Sequence, residues 1–490
     1  MASLPGSAGF AVIGDKSLEF YKNPVKFVDK KIRENKSRLF VTRVLNKPAV
    51  VIASYYGVKE LLDNHADKTD LGYQSFMGDV FGENILYSDG EKAAKLRQLM
   101  SHLFNDAAVK NFHVTVDRLV NKLLAGIDEA ESPLPVYTYF KQLTTEICLT
   151  LFLDLDFEQS QELASQIIQL TTQHWHGIIS IPMKLKLPLP GFSTYSSGYG
   201  KAIEAKEALS NIIDKKLSVS PRGLCAKFAD TNFPSPEDAN NNLLLFTCAL
   251  VPKALAAVMT SFVLAANLYE KGDLLSKIEK DPEYHDRFLL EVLRLWPPFF
   301  GGRRLANEDI ECQGYRIPKG YSVLYTTTAA HRDPEAFDNP DGFDPSRWRD
   351  KQDIDKLLCF GFGPRICIGR TFVWDILKTT TLKVLSHFSW NVPDGQSLSY
   401  KYLPVSRPKE KVLVEFILRK KHPRLDLKES VSEDSETLFE RPKGEENDDV
   451  NKDKNCNTEQ IHVCERTDEE VEASRINQAA VLLDENIFVP

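Results

Sequence analysis

The segment that most constrains this chain is Phe360-Gly361-Phe362-Gly363-Pro364-Arg365-Ile366-Cys367-Ile368-Gly369. It sets one cysteine between two glycines, with an arginine two residues before it and an aromatic ring seven before it. A thiolate at such a place stays ionised only if a metal or nearby backbone N–H groups offset its charge. Gly363 and Gly369 would let the backbone turn tightly and come close to a bound group. Arg365 suits a carboxylate, because a planar guanidinium pairs with one in a fixed geometry. A lone buried cysteine in a glycine-rich turn is otherwise structural, so the reading rests on several residue types falling together in one short stretch.

Two further segments stand in order before it. Glu291-Val292-Leu293-Arg294 lies in an apolar helical run, Phe288 to Trp296, closed by Pro297-Pro298. Spacing i, i+3 puts the carboxylate and guanidinium on one helix face, and such a pair on an apolar helix needs partners to be buried. Downstream comes Phe343-Asp344-Pro345-Ser346-Arg347-Trp348. Together these segments resemble the cytochrome P450 family. Its pattern Phe-x-x-Gly-x-Arg-x-Cys-x-Gly holds haem iron through the cysteine, and its Glu-x-x-Arg helix is joined by an arginine from a later loop.

The resemblance covers roughly residues 4–418 and is nearest to the retinoic-acid and sterol branch. It implies haem b with Cys367 as the iron ligand, where a thiolate pushes electron density onto iron. The haem would be bound by Arg97, Arg304, Phe360, Gly363, Arg365 and Gly369, and Glu291, Arg294 and Arg347 would form the structural triad. Arg304 and Arg365 would meet propionates. In the stretch Asp89 to Arg97 relatives often have Trp or His four residues before the arginine; this chain has Ala93, so one hydrogen bond to the haem is lost or supplied otherwise. Cys359 precedes Phe360 and falls outside the pattern.

Helical periodicity dominates the middle of the chain: Val116–Ile127, Tyr137–Phe152, Ser160–Thr172, Ile203–Leu217 and Asn242–Tyr269 carry apolar residues at three-to-four spacing. Phe40–Val44, Ala49–Ala53, Tyr321–Tyr325 and Val412–Ile417 read as strands. The expectation is a mainly α body with small β-sheets, a single cytochrome P450 domain over 1–420. A hydrophobic content of 42% fits a large buried interior. From 421 to 490 the chain holds 19 acidic and 9 basic residues, a net −10 that accounts for the whole chain's −8 and leaves the body near neutral, about +2. We read that part as an acidic, disordered tail. The charge balance gives no basic patch and excludes nucleic acid as a partner. Eight cysteines without paired spacing fit a reducing compartment.

No run of about twenty apolar residues is present at the N-terminus to span a bilayer. Leu4 to Asp15 is similar to the proline-containing segment that follows the membrane anchor in microsomal relatives. The chain is expected to lack a transmembrane anchor, either as a naturally soluble member or because the anchor has been removed. Its expected location is cytoplasmic or peripherally membrane-associated.

The departures from the family lie on the distal side of the haem. Oxygen-activating members carry Ala/Gly-Gly-x-Asp/Glu-Thr in the long helix there, and the acid–alcohol pair helps relay protons to dioxygen. Here the helix runs Asn242-Leu243-Leu244-Leu245-Phe246-Thr247-Cys248-Ala249-Leu250-Val251-Pro252-Lys253-Ala254, and no acid occurs between Asn242 and Tyr269. One register puts Leu250 and Val251 at the acid and alcohol positions; another puts Lys253 and Ala254 there. Pro252 is expected inside the helix, where it would remove one backbone bond and cost about 3 kcal/mol if unsupported. Lys253 either meets substrate or snorkels to the rim. Cys367, Lys253, Pro252 and Ala249 are the residues expected at the reacting centre.

A haem-thiolate without that relay can work on a substrate that already holds an O–O bond, as atypical relatives do. The leading expectation is rearrangement or cleavage of polyunsaturated fatty-acid hydroperoxides to an epoxyalcohol, allene oxide or aldehyde, with no redox partner. The helix asparagine and the insertion before the cysteine that mark the plant enzymes are absent, Asn242 standing about two turns too early. The alternatives are a monooxygenase of a lipid, retinoid or sterol served by NADPH–P450 reductase, and a non-catalytic haem protein that binds a lipid or gas. Tyr73–Leu86, His174–Leu189, the distal helix and Phe299–Arg303 are the expected substrate walls.

Overall fold

The computed structural model describes residues 3–177, 186–187, 195–196, 198–219, 221–350 and 356–419. The expected tail and most of 178–189 lie outside the described residues. Near the N-terminus, strands β1 (Leu39–Val44) and β2 (Lys47–Ile52) form a hairpin. Helix α1 (Tyr55–Asp63) follows, capped by the Ser54 hydroxyl, which accepts from Gly57 N–H at 3.2 Å. The short strand β3 (Thr69–Asp70) comes next. Then come α2 (Gly90–Met100), α3 (Asp106–Glu129), α4 (Val136–Leu153) and α5 (Gln161–His176).

The long apolar stretch forms two helices, α6 (Pro236–Thr247) and α7 (Leu250–Ala265), the second running on into one π turn, Ala266–Glu270. Ser235 and Asp238 make a reciprocal capping box at the start of α6, with Pro236 at the first helical position, where its missing N–H costs nothing. The single helix expected over Asn242–Tyr269 is thus broken, and it begins six residues earlier. This stretch, Pro236–Glu270, is the one segment among the described residues long and apolar enough to cross a membrane, and 78% of its 18-residue apolar window is buried in the core.

Helix α8 (Tyr284–Leu295) precedes strands β4 (Gly302–Ala306) and β5 (Ser322–Tyr325). The five strands make one sheet in the order β1-β2-β5-β4-β3, with β5 parallel to β2 and antiparallel to β4. Helix α9 (Arg370–His387) starts directly after the cysteine segment and leads to a three-stranded sheet of Phe388–Asn391, Leu413–Leu418 and Leu134–Pro135. One continuous apolar core joins these helices, with Phe104, Phe152, Phe246 and Phe372 meeting at its centre. The architecture is mainly α with small sheets. It suspends the cysteine segment between α1, α2 and α9.

Candidate active site: a thiol, three guanidiniums and a broken helix

The cysteine segment is a folded-back loop. Cys367 N–H donates to the Phe360 carbonyl at 2.8 Å, closing the loop on the aromatic that opens it. Gly363 has φ +65°, and a Cβ there would stand 2.4 Å from the Leu62 carbonyl of α1, so both backbone and space demand glycine. Gly369 differs from the expectation. Its φ is −89°, and a Cβ would meet only the Phe104 ring at 3.9 Å, so no tight turn requires glycine there. Its position is the N-cap of α9.

The Cys367 side chain is accessible, although protein crowds it closely enough for burial to dominate its titration. The two observations agree if the thiol faces an enclosed but accessible space. Burial pushes its pKa up, and the Gly369 N–H and the charges of Arg97 and Arg370 oppose that rise. Cys359 is more enclosed, and burial drives its thiol further up.

Three arginines from three elements converge beside this loop. Arg97 of α2 donates to the Ile366 carbonyl. Arg304 of β4 is buried, donates to the Arg303 carbonyl at 3.0 Å and lies over the Tyr325 ring at 5.4 Å. Arg365 donates to the Ser88 carbonyl at 2.9 Å. Burial brings the Arg365 pKa down to about 10; Asp89 opposes this, and the charges of Arg97 and Arg304 add to it. A buried guanidinium with two further cations beside it calls for anionic ligands. Asp89 is engaged elsewhere, accepting from Leu71 N–H at 2.8 Å. An iron porphyrin, with two carboxylates for the guanidiniums and a metal for the thiolate, fits this donor set. Ala93 is buried in α2 and offers no hydrogen bond.

Glu291 and Arg294 on α8 have no exposed side-chain surface. Arg294 donates to both Glu291 oxygens at 2.8 and 2.7 Å, and its remaining donors reach the carbonyls of His331, Pro340 and Gly342. Every N–H of the guanidinium is thereby used. Glu291 also accepts from Arg347 Nε at 3.1 Å, Trp348 Nε1 at 2.9 Å and Asp344 N–H at 2.8 Å. The structure therefore brings Glu291, Arg294 and Arg347 together.

Sequence reasoning missed His331 and the part played by Trp348. His331 Nδ1–H donates to the Arg294 carbonyl at 3.0 Å, and Nε2 accepts from Leu358 N–H at 2.8 Å, tying α8 to the start of the cysteine segment. Burial takes its pKa down to about 3. Nothing in a lone histidine after Thr326–Ala330 signals this.

On the distal side the helix breaks at Cys248 and Ala249. Cys248 is extended (ψ 165°), and its side chain fills the gap: Sγ donates to the Leu245 carbonyl at 2.9 Å and accepts from Leu250 N–H. Pro252 falls in the first turn of α7, not in a helix interior, so the expected loss of a backbone bond does not arise. Its carbonyl accepts from the Thr144 hydroxyl at 2.9 Å. Lys253 does not snorkel: it is 4% exposed, with Nζ 4.2 Å from the centre of the Trp175 ring. Ala249 packs with Leu250, Phe299, Val405 and Trp175 in a small apolar cluster. Lys253, Pro252 and Ala249 also line a cavity of ≈ 20 Å³ that reaches Lys141 on α4 and threonines of α4, α5 and α6. Asn242 is spent on structure, its Oδ1 accepting from Ile85 N–H at 2.9 Å.

The sequence profile of the cytochrome P450 family matches residues 10–246 and 279–416. The chain belongs to the cytochrome P450 family, whose members bind haem b through a cysteine thiolate. The unmatched stretch between begins at Thr247, where the distal helix breaks. Among curated proteins, the chain is similar to the taxane 13-alpha-hydroxylase of Taxus cuspidata, 28% identical over 435 residues that cover 78% of this chain and 84% of the relative. It is likewise similar to the beta-amyrin 28-monooxygenase of Medicago truncatula, 25% identical over 437 residues, covering 80% and 88%. Among solved structures, the retinoic acid-bound cyanobacterial CYP120A1 superposes with a TM-score of 0.73 at 22% identity, covering 86% of this chain and all of that one.

Proposed function

We propose that this cytochrome P450 is a monooxygenase of a large lipophilic substrate of terpenoid or retinoid kind, with a reductase passing it electrons from NADPH. The observation that carries the reading is the broken distal helix: directly behind the break stands a small cavity lined by two buried lysines and several threonines. The place that lacks an acid–alcohol pair has lysine and threonine side chains beside it. The hydroxylase and monooxygenase names of the relatives support the same chemistry.

In this reading Cys367 holds the iron, Arg97, Arg304 and Arg365 take the propionates, and Phe360, Gly363 and Gly369 shape the loop. Haem bound there supplies a thiolate-ligated iron able to activate an O–O bond. The remaining work belongs to the chain. Trp175, Phe299, Val405 and Leu250 form an apolar wall that holds a hydrocarbon and excludes water. Arg97, anchored on the carbonyl next to Cys367, fixes the loop against α2. His331 and the Glu291–Arg294 pair hold the opposite end of that loop.

A second reading keeps the hydroperoxide chemistry. One observation favours it: at the break itself stand Leu250 and Val251, and the Thr247 hydroxyl donates back to the Leu243 carbonyl at 2.8 Å. One experiment separates the two. Purified holoprotein is given retinoid and triterpenoid substrates with NADPH and reductase, and separately linoleate hydroperoxide alone. Hydroxylated product that depends on reductase supports monooxygenation. Loss of the conjugated diene to a defined oxylipin without reductase, and inertness in the first mixture, replaces it with the second reading.

A further inference from the structure

The cavity behind the break imposes a donor and acceptor pattern on whatever fills it. Thr145, Thr171, Thr172 and Thr247 line it, and each hydroxyl donates its one proton to a carbonyl of its own helix, at 2.7, 3.0, 2.9 and 2.8 Å. What these hydroxyls turn toward the cavity is oxygen lone pairs, which are acceptors. Lys141 and Lys253 line the same space, 5% and 4% exposed, and an ammonium is a donor alone. An occupant that touches both kinds of group accepts from lysine and donates to threonine. Chloride or a carboxylate accepts only and would face the threonine lone pairs. Water does both. The volume of ≈ 20 Å³ holds about one water.

The cavity is also linked to the break in the distal helix. Thr247 and Ala249 flank the Cys248 thiol, and the Lys253 charge lowers that thiol's pKa against the burial that lifts it to about 12. Trp175 covers Lys253 on the side of the apolar substrate wall.

We propose that Lys253, with Lys141 and the four threonines, holds a single water as a proton-delivery station that replaces the acid–alcohol pair of the family. The proposal rests on the monooxygenase reading. Monooxygenation consumes dioxygen, two electrons from NADPH by way of the reductase, and two protons, and returns one oxygen in the product and the other as water. Lys253 Nζ gives a proton to the cavity water as that water gives one of its own past Thr247 to the distal face; the amine then takes a proton from solvent. Lysine is unchanged over the cycle, and the proton comes from bulk water.

The test uses the holoprotein and two variants, Lys253→Met and Thr145→Val, the second leaving both charges in place should the first fail to fold. A high-resolution crystal structure of the wild type, grown with bromide, should show a water within hydrogen-bond distance of a lysine Nζ and a threonine hydroxyl. A dry cavity, or bromide in it, overturns the proposal. In the variants the substrate-induced spectral shift should keep its wild-type midpoint, while the share of NADPH electrons recovered in product falls about tenfold and hydrogen peroxide takes the difference. Unchanged coupling in both variants overturns the station while leaving monooxygenation standing. A wild type that gives no reductase-dependent product removes the reading beneath it, and the proposal falls with it.

Discussion

At the scale of single residues, the site is a contest between burial and charge around one sulfur. Cys367 needs an offsetting partner to ionise, and the protein offers it one N–H and two guanidinium charges. Cys359, eight residues away, meets the N–H groups of its own residue and Phe360 but no guanidinium charge, and burial drives its thiol further up. Cys367→Ala should therefore abolish the haem-thiolate absorbance of the carbon monoxide complex, while Cys359→Ala leaves it intact; the opposite result would move the axial ligand. Gly363 gives a second prediction. Alanine there meets both a positive φ and a carbonyl at 2.4 Å, so Gly363→Ala should cost about 1–3 kcal/mol and lower haem content, whereas Gly369→Ala should leave apoprotein melting unchanged. The loop chemistry was legible in the sequence because cysteine, arginine and glycine each have a narrow use in such a spacing. The reason for Gly369 was not legible, since its backbone angle and neighbours exist only in the fold.

At the scale of elements, α8 shows how a charge pair survives full burial. Glu291 and Arg294 are stable there because every donor and acceptor finds a partner, several of them from the loop that carries Arg347 and Trp348. Glu291→Ala leaves a buried guanidinium short of its carboxylate and should destabilise the protein by about 3–5 kcal/mol in denaturant titrations. His331 adds a pH dependence. Its folded pKa, about 3, lies below the ordinary 6.5. Its contribution to stability is thus complete above pH 6.5 and is lost as the pH falls from 6.5 toward 3. The denaturation midpoint should fall through that window in the wild type and fall less steeply in His331→Gln. The long helices in the middle of the chain could be read from three-to-four periodicity and four strands from alternation, whereas the helices Tyr55–Asp63, Gly90–Met100 and Arg370–His387 could not. The break at Cys248–Ala249 could not, because Cys248 to Val251 is an apolar run with no glycine or proline. Pro252 pointed to a disturbance, but the chain breaks before it and uses proline as a helix starter.

At the scale of the whole molecule, the fold keeps the thiolate side of a cytochrome P450 and rebuilds the distal side. The proximal loop, the three arginines and the triad come from separate elements, and all of them lie within the residues that the family profile matches. The distal helix breaks where that match stops, and lysine and threonine side chains line a cavity beside the break. Lys141 gave no sign of this in the sequence, since a lysine on a helix face reads as solvated. The central claim is that oxygen enters the product from dioxygen. It is tested most directly by supplying ¹⁸O₂ with NADPH, reductase and a retinoid or triterpenoid substrate, then measuring the mass of the product. The account predicts one ¹⁸O atom in a hydroxylated product, formed only when NADPH is present. Product without label, or turnover of linoleate hydroperoxide alone with both oxygens retained from the substrate, would contradict it.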